Sequence, residues 1–319
     1  MSSGKQWKYK SSLKMWVGLC VLALAFYGGI RLYFLVTDGF CISNIASTFP
    51  KDSRWDIRSL TKDEQTLIDA ILSREFFYLG KGCQSYVFLC DNGEYVLKFF
   101  KYQRFRPKFY LYRLTFISAV ERLLNEKIEK KNNKLERLFQ SWKTAFDNLQ
   151  EETGLVYIHL NKTDSLHKRT VIYDKMGGRH ELNMDEMEFL IQKKTTMLCS
   201  ALENLMAEGK VDKAKGLLAR LVKMVISEYH RGFADNDHAL MQNTGVFDDQ
   251  PIHVDVGQFV KNQDMQDPMM YHQELFNKMF KFRLWLAKKY PDLRECLDQE
   301  LCTEIGDKFF TMKHKPQQR

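Results

Sequence analysis

The chain has 319 residues, 45% hydrophobic and 13% aromatic, and 48 basic residues against 40 acidic ones give a net charge of +8. About 270 residues remain beyond the N-terminal segment, enough for one large domain or one domain of two lobes. The modest, dispersed charge indicates a solvated basic surface, with an anionic membrane or a phosphorylated ligand as alternatives and no nucleic-acid partner. The seven cysteines form no CxxC pair, which excludes a zinc site and a disulfide framework.

An apolar segment near the N-terminus predicts a membrane helix. Residues 1–14 are polar and basic, and residues 15–36 form an apolar run whose one charge is Arg31. As a helix this run spans roughly 33 Å, enough to cross the hydrocarbon core of a bilayer. We predict a single transmembrane anchor, with a secretory signal and a buried soluble helix as alternatives. The lysines of the basic segment favour a cytoplasmic N-terminus and the main domain on the other side, although this bias alone leaves that side open.

A linker and a short helix are expected after the apolar run. Residues 37–60 are mixed and polar, which indicates a tether between the membrane segment and the folded part. Thr61 and Glu64 fit a capping box, and apolar residues recur at helical spacing after them. The folded part is therefore expected to begin near residue 61.

Residues 77–100 alternate with a period of two, which predicts three strands. The first two strands flank a glycine-containing turn, and the third carries a lysine inside an apolar run. Glycines let backbone N–H groups approach phosphates, and a lysine adds a positive charge there. Taken alone, the turn is also explained by an ordinary hairpin. The residues expected to bind a phosphorylated cofactor are Gly80, Gly82, Ser85 and Lys98.

The stretch 230–260 carries two acidic clusters with an amide between them. Asp235 and Asp237 form the first cluster, and Asp255 ends a short β-branched strand. Asn243 lies between the two clusters. Carboxylate and amide oxygens are hard ligands that suit Mg²⁺ held against substrate phosphates. The chain between the clusters is long enough for a loop and a hairpin, so both can face one site.

The order of these motifs resembles that of protein kinases. His230-Arg231 is similar to the opening of a kinase catalytic loop. Asp255-Val256-Gly257 is similar to the metal-binding Asp-Phe-Gly element, and the strand that precedes it is similar to that of phosphoinositide kinases. A looser likeness to uncharacterised single-pass membrane proteins of chlamydia-type bacteria rests on the segments HLNKT and GFADNDHALMQNTG. The kinase resemblance covers roughly residues 77–260.

The kinase resemblance implies an α+β, two-lobed protein-kinase-like fold that uses ATP and Mg²⁺. It implies a catalytic role for Asp237 or Asp235, of which Asp237 is favoured by its distance to Asp255. It implies Asn243 and Asp255 as metal ligands. Three departures are visible in the sequence: Ser85 replaces the third loop glycine, valine replaces the phenylalanine after Asp255, and Asn243 follows Asp237 by six residues rather than five.

The same resemblance divides the folded part into two lobes. Residues 61–180 are expected to form the sheet lobe, residues 181–311 the helical lobe, and residues 312–319 a basic tail. The hinge is expected at residues 170–178. The helical region 108–150 offers three candidate carboxylate partners for the strand lysine. These are Glu121, Glu126 and Glu136.

Three functions follow as alternatives. The first is a membrane-anchored phosphotransferase that uses ATP and Mg²⁺ and acts on a hydroxyl of a protein, lipid or sugar. The second is a pseudokinase, a membrane-tethered binding module of the same fold, which the three departures favour. The third is a structural membrane protein without a nucleotide role. Under the first two, the expected partners are the membrane, through the N-terminal helix, and a nucleotide.

Overall fold

The computed structural model describes the backbone of residues 3–315 and the side chains of residues 15–315. The outermost residues of the basic N-terminal segment (1 and 2) and of the basic tail (316–319) lie outside this range. The helices of the described part are α1 (Ser3–Thr37), α2 (Ile42–Ile45), α3 (Lys62–Leu72), α4 (Phe109–Arg113), α5 (Ser118–Asn148), α6 (Gln150–Thr153), α7 (Leu198–Ala207), α8 (Val211–His230), α9 (Leu240–Asn243), α10 (Pro268–Lys289) and α11 (Pro291–Ile305). The strands are β1 (Glu75–Lys81), β2 (Ser85–Cys90), β3 (Tyr95–Phe100), β4 (Leu155–His159), β5 (Arg169–Tyr173), β6 (Arg179–Asn183), β7 (Phe189–Lys193), β8 (Thr196–Met197), β9 (Phe233–Asp235), β10 (Thr244–Phe247), β11 (Gln250–His253) and β12 (Phe259–Lys261).

The first helix is long and apolar enough to cross a membrane. Its segment Met15–Thr37 comprises 23 residues with a mean hydropathy of 2.0, and none of its most apolar window is buried against the protein. A core helix of a soluble domain is mostly buried, whereas this window is exposed throughout. The prediction of one N-terminal helix with the length and composition of a membrane span is confirmed.

The segment after α1 packs against the sheet instead of forming the predicted linker. Phe40 and Ile45 are 4% and 0% exposed and belong to the core of the sheet lobe. The Tyr86 hydroxyl donates a hydrogen bond of 2.6 Å to the carbonyl oxygen of Gly39. The prediction of a tether at residues 37–60 is therefore wrong for this part of the segment. Its few apolar side chains are irregularly spaced, and they are buried by contacts with residues far away in the sequence.

The sheet lobe is built on seven strands in the order β4-β7-β3-β2-β1-β5-β6. The first three strands form an antiparallel meander, as their alternating pattern predicts. Phe76, Phe88 and Phe99 come from these three strands and form one core with Phe189 of β7. The hairpin β5–β6 extends the sheet at the far edge, where β5 runs parallel to β1.

The sheet lobe ends later in the chain than predicted. The expected boundary at residue 180 falls inside β6, and β7 pairs with both β3 and β4. Strand β8 pairs with β10 of the second lobe, so the chain crosses between the lobes at residues 194–195. The hinge is therefore there rather than at residues 170–178. Strand pairings between distant segments set this boundary, and a local pattern does not reveal them.

The second lobe is mainly helical. Its core is formed by the apolar faces of α7, α8, α10 and α11, and α8 contributes Leu217, Leu221 and Val225 at helical spacing. Two small sheets, β8-β10-β11 and β9-β12, lie in this lobe. In the second of these, Asp235 is paired with Phe259, which brings the two acidic clusters of the sequence together. The predicted combination of a sheet lobe and a helical lobe is confirmed.

Candidate functional site

A cleft of about 430 Å³ is lined by the glycine-containing turn, by β3 and by the loops that carry the acidic clusters. Two other cavities, of about 480 and 490 Å³, contain none of the candidate residues. Candidate residues that lie far apart in the sequence, from Gly82 to Asp255, therefore line the same cleft. The predicted residues that line the cleft are Gly82, Ser85, Lys98, Asp235, Asp237, Asn243 and Asp255.

Gly80 is the one predicted residue that does not line the cleft. It lies within β1, at a register shift in the pairing with β2, two residues before the turn. The turn itself is closed by a hydrogen bond of 2.9 Å from the Gly82 N–H to the Ser85 carbonyl oxygen. Lys101 Nζ donates to the Gly82 carbonyl at 2.6 Å, and Arg104 donates to the Cys83 carbonyl at 2.8 Å. These two cations hold the turn to the segment that follows β3.

The tip of the turn reaches the second acidic cluster. The Gln84 side chain lies so close to Gly257 that a Cβ at Gly257 would be 2.7 Å from Gln84 Oε1. Gln84 Oε1 is buried and accepts no hydrogen bond from the described residues. A buried amide oxygen without a donor is costly, and in a cleft it marks a place where a ligand or water can donate. The close approach of the turn thus explains why a residue without a Cβ occupies position 257.

Lys98 projects from β3 into the cleft and is 8% exposed. Its Nζ donates a hydrogen bond of 2.5 Å to the Val254 carbonyl oxygen and lies 5.7 Å from the centre of the Trp142 ring. Burial lowers the pKa of Lys98 from 10.5 to about 8, and the nearby charge of Asp255 offsets part of this effect. The amine is therefore a buried cation held beside the acidic cluster and bonded to a carbonyl rather than to a carboxylate.

The expected glutamate partner of Lys98 is absent from the described side chains. Glu136 accepts a hydrogen bond of 3.0 Å from Arg54, on the outside of α5. Glu121 and Glu126 are exposed. The helix presents Trp142 to the lysine instead, and the adjacent Ser141 hydroxyl donates to the Val256 carbonyl. The three glutamates were candidates because the kinase resemblance implies a helix carboxylate beside the strand lysine. In the structure they lie on the exposed side of α5, so none of them faces Lys98.

Asp255 lies opposite Lys98, in the loop between β11 and β12. Its Oδ1 accepts a hydrogen bond of 3.0 Å from the Gly257 N–H, which fixes the carboxylate. Burial raises the pKa of Asp255 above its ordinary value, and the charge of Lys98 opposes the rise. The strand before it is held by a buried contact of 2.8 Å between His253 Nε2 and Glu228 Oε1. Asp255 therefore projects from a rigid support.

The two candidate catalytic aspartates have different surroundings. Asp235 is 3% exposed, and its Oδ2 accepts a hydrogen bond of 2.8 Å from Lys278 Nζ on α10. Its Oδ1 accepts from the Asp237 N–H at 3.0 Å. Asp237 is half-buried, and its Oδ1 accepts from the Ala239 N–H at 2.9 Å. Asp235 is therefore occupied in supporting the loop, whereas Asp237 is partly open to the cleft.

Lys278 was not identified from the sequence. It is 2% exposed and forms the ion pair that neutralises Asp235. The available signal was a lysine in the middle of a helix with one apolar face, at a position that the helical periodicity assigns to that face. Its partner lies 43 residues earlier in the chain, so the sequence alone did not connect them.

The donors present fit a magnesium ion shared with a phosphorylated ligand. Within the described residues no group of three or more His, Cys, Asp or Glu side chains forms a complete metal site. Mg²⁺ is commonly bound by one or two carboxylates together with waters and substrate phosphates. Asp255 supplies such a carboxylate and Asn243, which ends α9 beside it, supplies an amide oxygen on the same cleft. The backbone of Asn243 accepts from the Val254 N–H at 2.8 Å, which ties the two loops together.

Comparison with known proteins gives similar solved structures only. Neither a protein-family model nor a curated protein matches the chain. A crystal structure of WbdD aligns with 70% of this chain at 13% identity and a TM-score of 0.37. A second structure, described as the bifunctional kinase-methyltransferase WbdD, aligns with 69% at 15% identity and a TM-score of 0.33. The chain spans 43% and 42% of the lengths of these two structures.

A streptomycin–ATP–APH(2")-IIa ternary complex aligns with 80% of this chain and 94% of its own, at 13% identity and a TM-score of 0.24. The two-lobed α+β arrangement predicted from the sequence is present in the molecule itself, and so are features that the kinase resemblance implies. A lysine on the third strand, a glycine turn above it and paired acidic loops below it share one cleft between a sheet lobe and a helical lobe.

Proposed function

We propose that the protein is a membrane-anchored phosphotransferase that uses ATP and Mg²⁺ and transfers a phosphoryl group to a hydroxyl. The observation that carries this proposal is the meeting of Lys98 with Asp237, Asn243 and Asp255 in one cleft. Phosphoryl transfer requires mainly positioning and charge stabilisation, for which a buried cation facing carboxylates is suited. A structural membrane protein would have no reason to maintain a buried lysine and a desolvated carboxylate in this arrangement.

Each side chain has a distinct role in this proposal. Lys98 binds the phosphates of the nucleotide as a positive charge. Asp255 and Asn243 are the residues that would hold Mg²⁺, and the ion would neutralise the negative charge of the phosphates when bound. Asp237 orients the attacking hydroxyl and accepts its proton. Asp235, neutralised by Lys278, fixes the loop on which Asp237 lies.

The turn at residues 82–85 covers the site from the sheet side. The Gln84 amide, whose oxygen is without a donor among the described residues, is placed where it can meet the ligand. Gly82 and Ser85 set the shape of the turn through their mutual hydrogen bond. Backbone N–H groups of such turns are suited to phosphate oxygens. Gly80 has no place in the cleft, and we propose no contact between it and the nucleotide.

The α1 helix anchors this site at a membrane. Lys175 Nζ donates to the Leu35 carbonyl at 3.1 Å, and Asp38 pairs with Lys81 at 2.9 Å. These contacts hold the end of the helix against the sheet lobe, so the cleft lies at a restricted distance from the bilayer. A substrate that is itself a lipid or a membrane protein fits this arrangement. The lysines before the helix favour a cytoplasmic N-terminus.

The test is turnover by the full chain in lipid nanodiscs, with ATP and Mg²⁺ and membrane lipids as acceptors. Because Asp237 acts on the hydroxyl, Asp237→Asn should lower turnover by roughly 10²–10⁴-fold while ATP affinity changes little. Full turnover by this variant would refute the role of Asp237. ATP binding without any turnover by the wild-type chain would favour the pseudokinase, for which the replacement of the helix glutamate by Trp142 is the supporting observation.

A further inference from the structure

A set of large apolar side chains is exposed on α4 and the residues that flank it. Phe109 and Phe116 are each 79% exposed, and Tyr110 and Tyr112 are 45% and 50% exposed. Leu111 of the same helix is 6% exposed, and α4 packs against α5. One side of the helix is thus fixed to the protein, while four aromatic rings face outward. Exposed apolar surface concentrated in one segment marks a place of interaction.

The same segment is strongly basic. Residues 101–120 contain five basic residues and no acidic residue. Within the described part of the chain none of these five forms an ion pair. Lys108 and Arg113 are exposed beside the aromatic side chains. Aromatic rings with lysine and arginine are the combination that interacts with the headgroup region of an anionic bilayer. The partner that this chemistry fits is negatively charged and partly apolar.

The segment is also bonded to the chain that leaves the membrane helix. Arg106 donates hydrogen bonds of 2.8 Å to the Ser43 carbonyl and 2.6 Å to the Ala46 carbonyl. Ser43 follows the end of α1 at Thr37 by six residues, a distance of at most roughly 20 Å along an extended chain. The segment that carries the aromatic and basic side chains therefore lies close to the end of α1, where this helix would leave the membrane.

We propose that this face, formed by Phe109, Tyr110, Tyr112, Phe116, Lys108 and Arg113, is a second membrane contact that lies on anionic phospholipid. We call it the α4 face. The proposal rests on the membrane anchoring by α1 in the proposed function. With both contacts in place, the sheet lobe has a fixed orientation relative to the membrane as well as a fixed distance from it. The α5 helix follows the face and carries Trp142, which contacts Lys98, so the cleft is oriented relative to the membrane too.

The test uses a photoreactive phenylalanine analogue, benzoylphenylalanine, placed at single positions of the full chain in nanodiscs. The chain offers matched positions for it. Phe109 and Phe116 report the α4 face, and Phe26 of the membrane helix, 72% exposed, is the positive control. Phe310, 78% exposed in the helical lobe, is the control for an exposed phenylalanine away from the face. Crosslinks to lipid are counted by mass spectrometry in nanodiscs with and without phosphatidylglycerol.

We expect lipid crosslinks at Phe116 and Phe109 that are several-fold above those at Phe310 and that rise with anionic lipid. In the Lys108→Glu, Arg113→Glu double variant the yield at Phe116 should fall by roughly fivefold for each positive charge removed. Crosslinks at Phe26 with none at Phe116 would overturn the α4 face and leave the anchor intact. Crosslinks from Phe116 to a polypeptide instead of lipid would assign the face to a protein partner and also overturn it.

The outcome is separate from that of the proposed function. ATP binding measured on the same nanodiscs reports the cleft, whereas lipid crosslinking reports the α4 face. Absence of lipid crosslinks at Phe26 would refute the anchor and the α4 face together. Absence of ATP binding with strong crosslinks at Phe116 would refute the nucleotide site alone.

Discussion

Raising the pH should weaken nucleotide binding through a single side chain. In the proposed site Lys98 would bind phosphates only when it is protonated, and burial lowers its pKa from 10.5 to about 8 in the free protein. A bound nucleotide stabilises the protonated amine, so the pKa of Lys98 is higher in the complex. Between the two pKa values the complex holds one more proton than the free protein. Affinity must therefore fall as the pH rises through this interval.

The size of the effect follows from the pKa. A group with a pKa of about 8 is roughly three-quarters protonated at pH 7.5 and about 3% protonated at pH 9.5. If the amine stays charged in the complex over this range, the dissociation constant for ATP rises roughly 20-fold, or about 1.8 kcal/mol. The stability of the free protein changes with pH in the opposite direction. The buried ammonium of Lys98 destabilises the fold fully below about pH 8, and this destabilisation disappears as the pH rises toward 10.5, the pKa of the lysine in the unfolded chain.

The assay is calorimetric titration of the full chain with ATP and Mg²⁺ at constant ionic strength across this pH range. Lys98→Arg is the informative variant because its guanidinium stays charged throughout. Lys101 is the necessary control, since burial lowers its pKa to about 8 as well, and it bonds the turn rather than facing the acidic cluster. We expect Lys98→Arg to bind ATP with little pH dependence and Lys101→Arg to keep the wild-type dependence.

Two results would refute this reasoning. One is an ATP affinity of the wild-type protein that does not change between pH 7.5 and 9.5. The other is a dependence that disappears in Lys101→Arg and persists in Lys98→Arg, which would transfer the titration to the turn and away from the proposed phosphate contact.

Three further predictions concern the supports of the site. Lys278→Met should lower the free energy of unfolding by about 3–5 kcal/mol, because it leaves the buried carboxylate of Asp235 without its partner; denaturant unfolding measures this, and an unchanged midpoint would contradict it. Gly257→Ala should weaken ATP binding, since its Cβ would lie 2.7 Å from Gln84 Oε1, and adding Gln84→Ala should restore part of the affinity. A hydrogen bond from Lys81 lowers the pKa of Asp38 from 3.8 to about 2. Asp38 should therefore stabilise the fold at neutral pH and lose this contribution as the pH falls from 3.8 to about 2. In Asp38→Asn the free energy of unfolding should depend less on pH in this acid range.

The parts of the fold that could be predicted have local signals. The meander β1–β3 follows from a period of two interrupted by a glycine turn and an Asn-Gly turn, and Lys98 lies where this pattern placed it. The strand before Asp255 was marked by β-branched residues and a following glycine. The N-terminal helix with the length and composition of a membrane span is an apolar run whose one charge is Arg31. Each of these features depends on neighbours within a few residues.

The parts that were missed depend on distant contacts. β5 pairs in parallel with β1 across about a hundred residues, and β7 joins β3 to β4, so the boundary at residue 180 could not be located from local patterns. Phe40 is buried on the sheet, although its own segment is polar. The sequence favoured Asp237 over Asp235 only by its distance to Asp255, whereas the contact between Asp235 and Lys278 depends on the packing of α10.

The central claim is that this cleft binds nucleotide with Mg²⁺, and thermal unfolding of the full chain in nanodiscs tests it most directly. A ligand that binds only the folded state stabilises it by about 2.7 kcal/mol at a hundredfold excess over its dissociation constant. We predict that ATP raises the midpoint only with Mg²⁺, and that the rise is lost in both Lys98→Ala and Asp255→Ala. A well-folded wild-type protein whose midpoint does not respond to ATP and Mg²⁺, or an Asp255→Ala variant that responds as the wild type does, would contradict it.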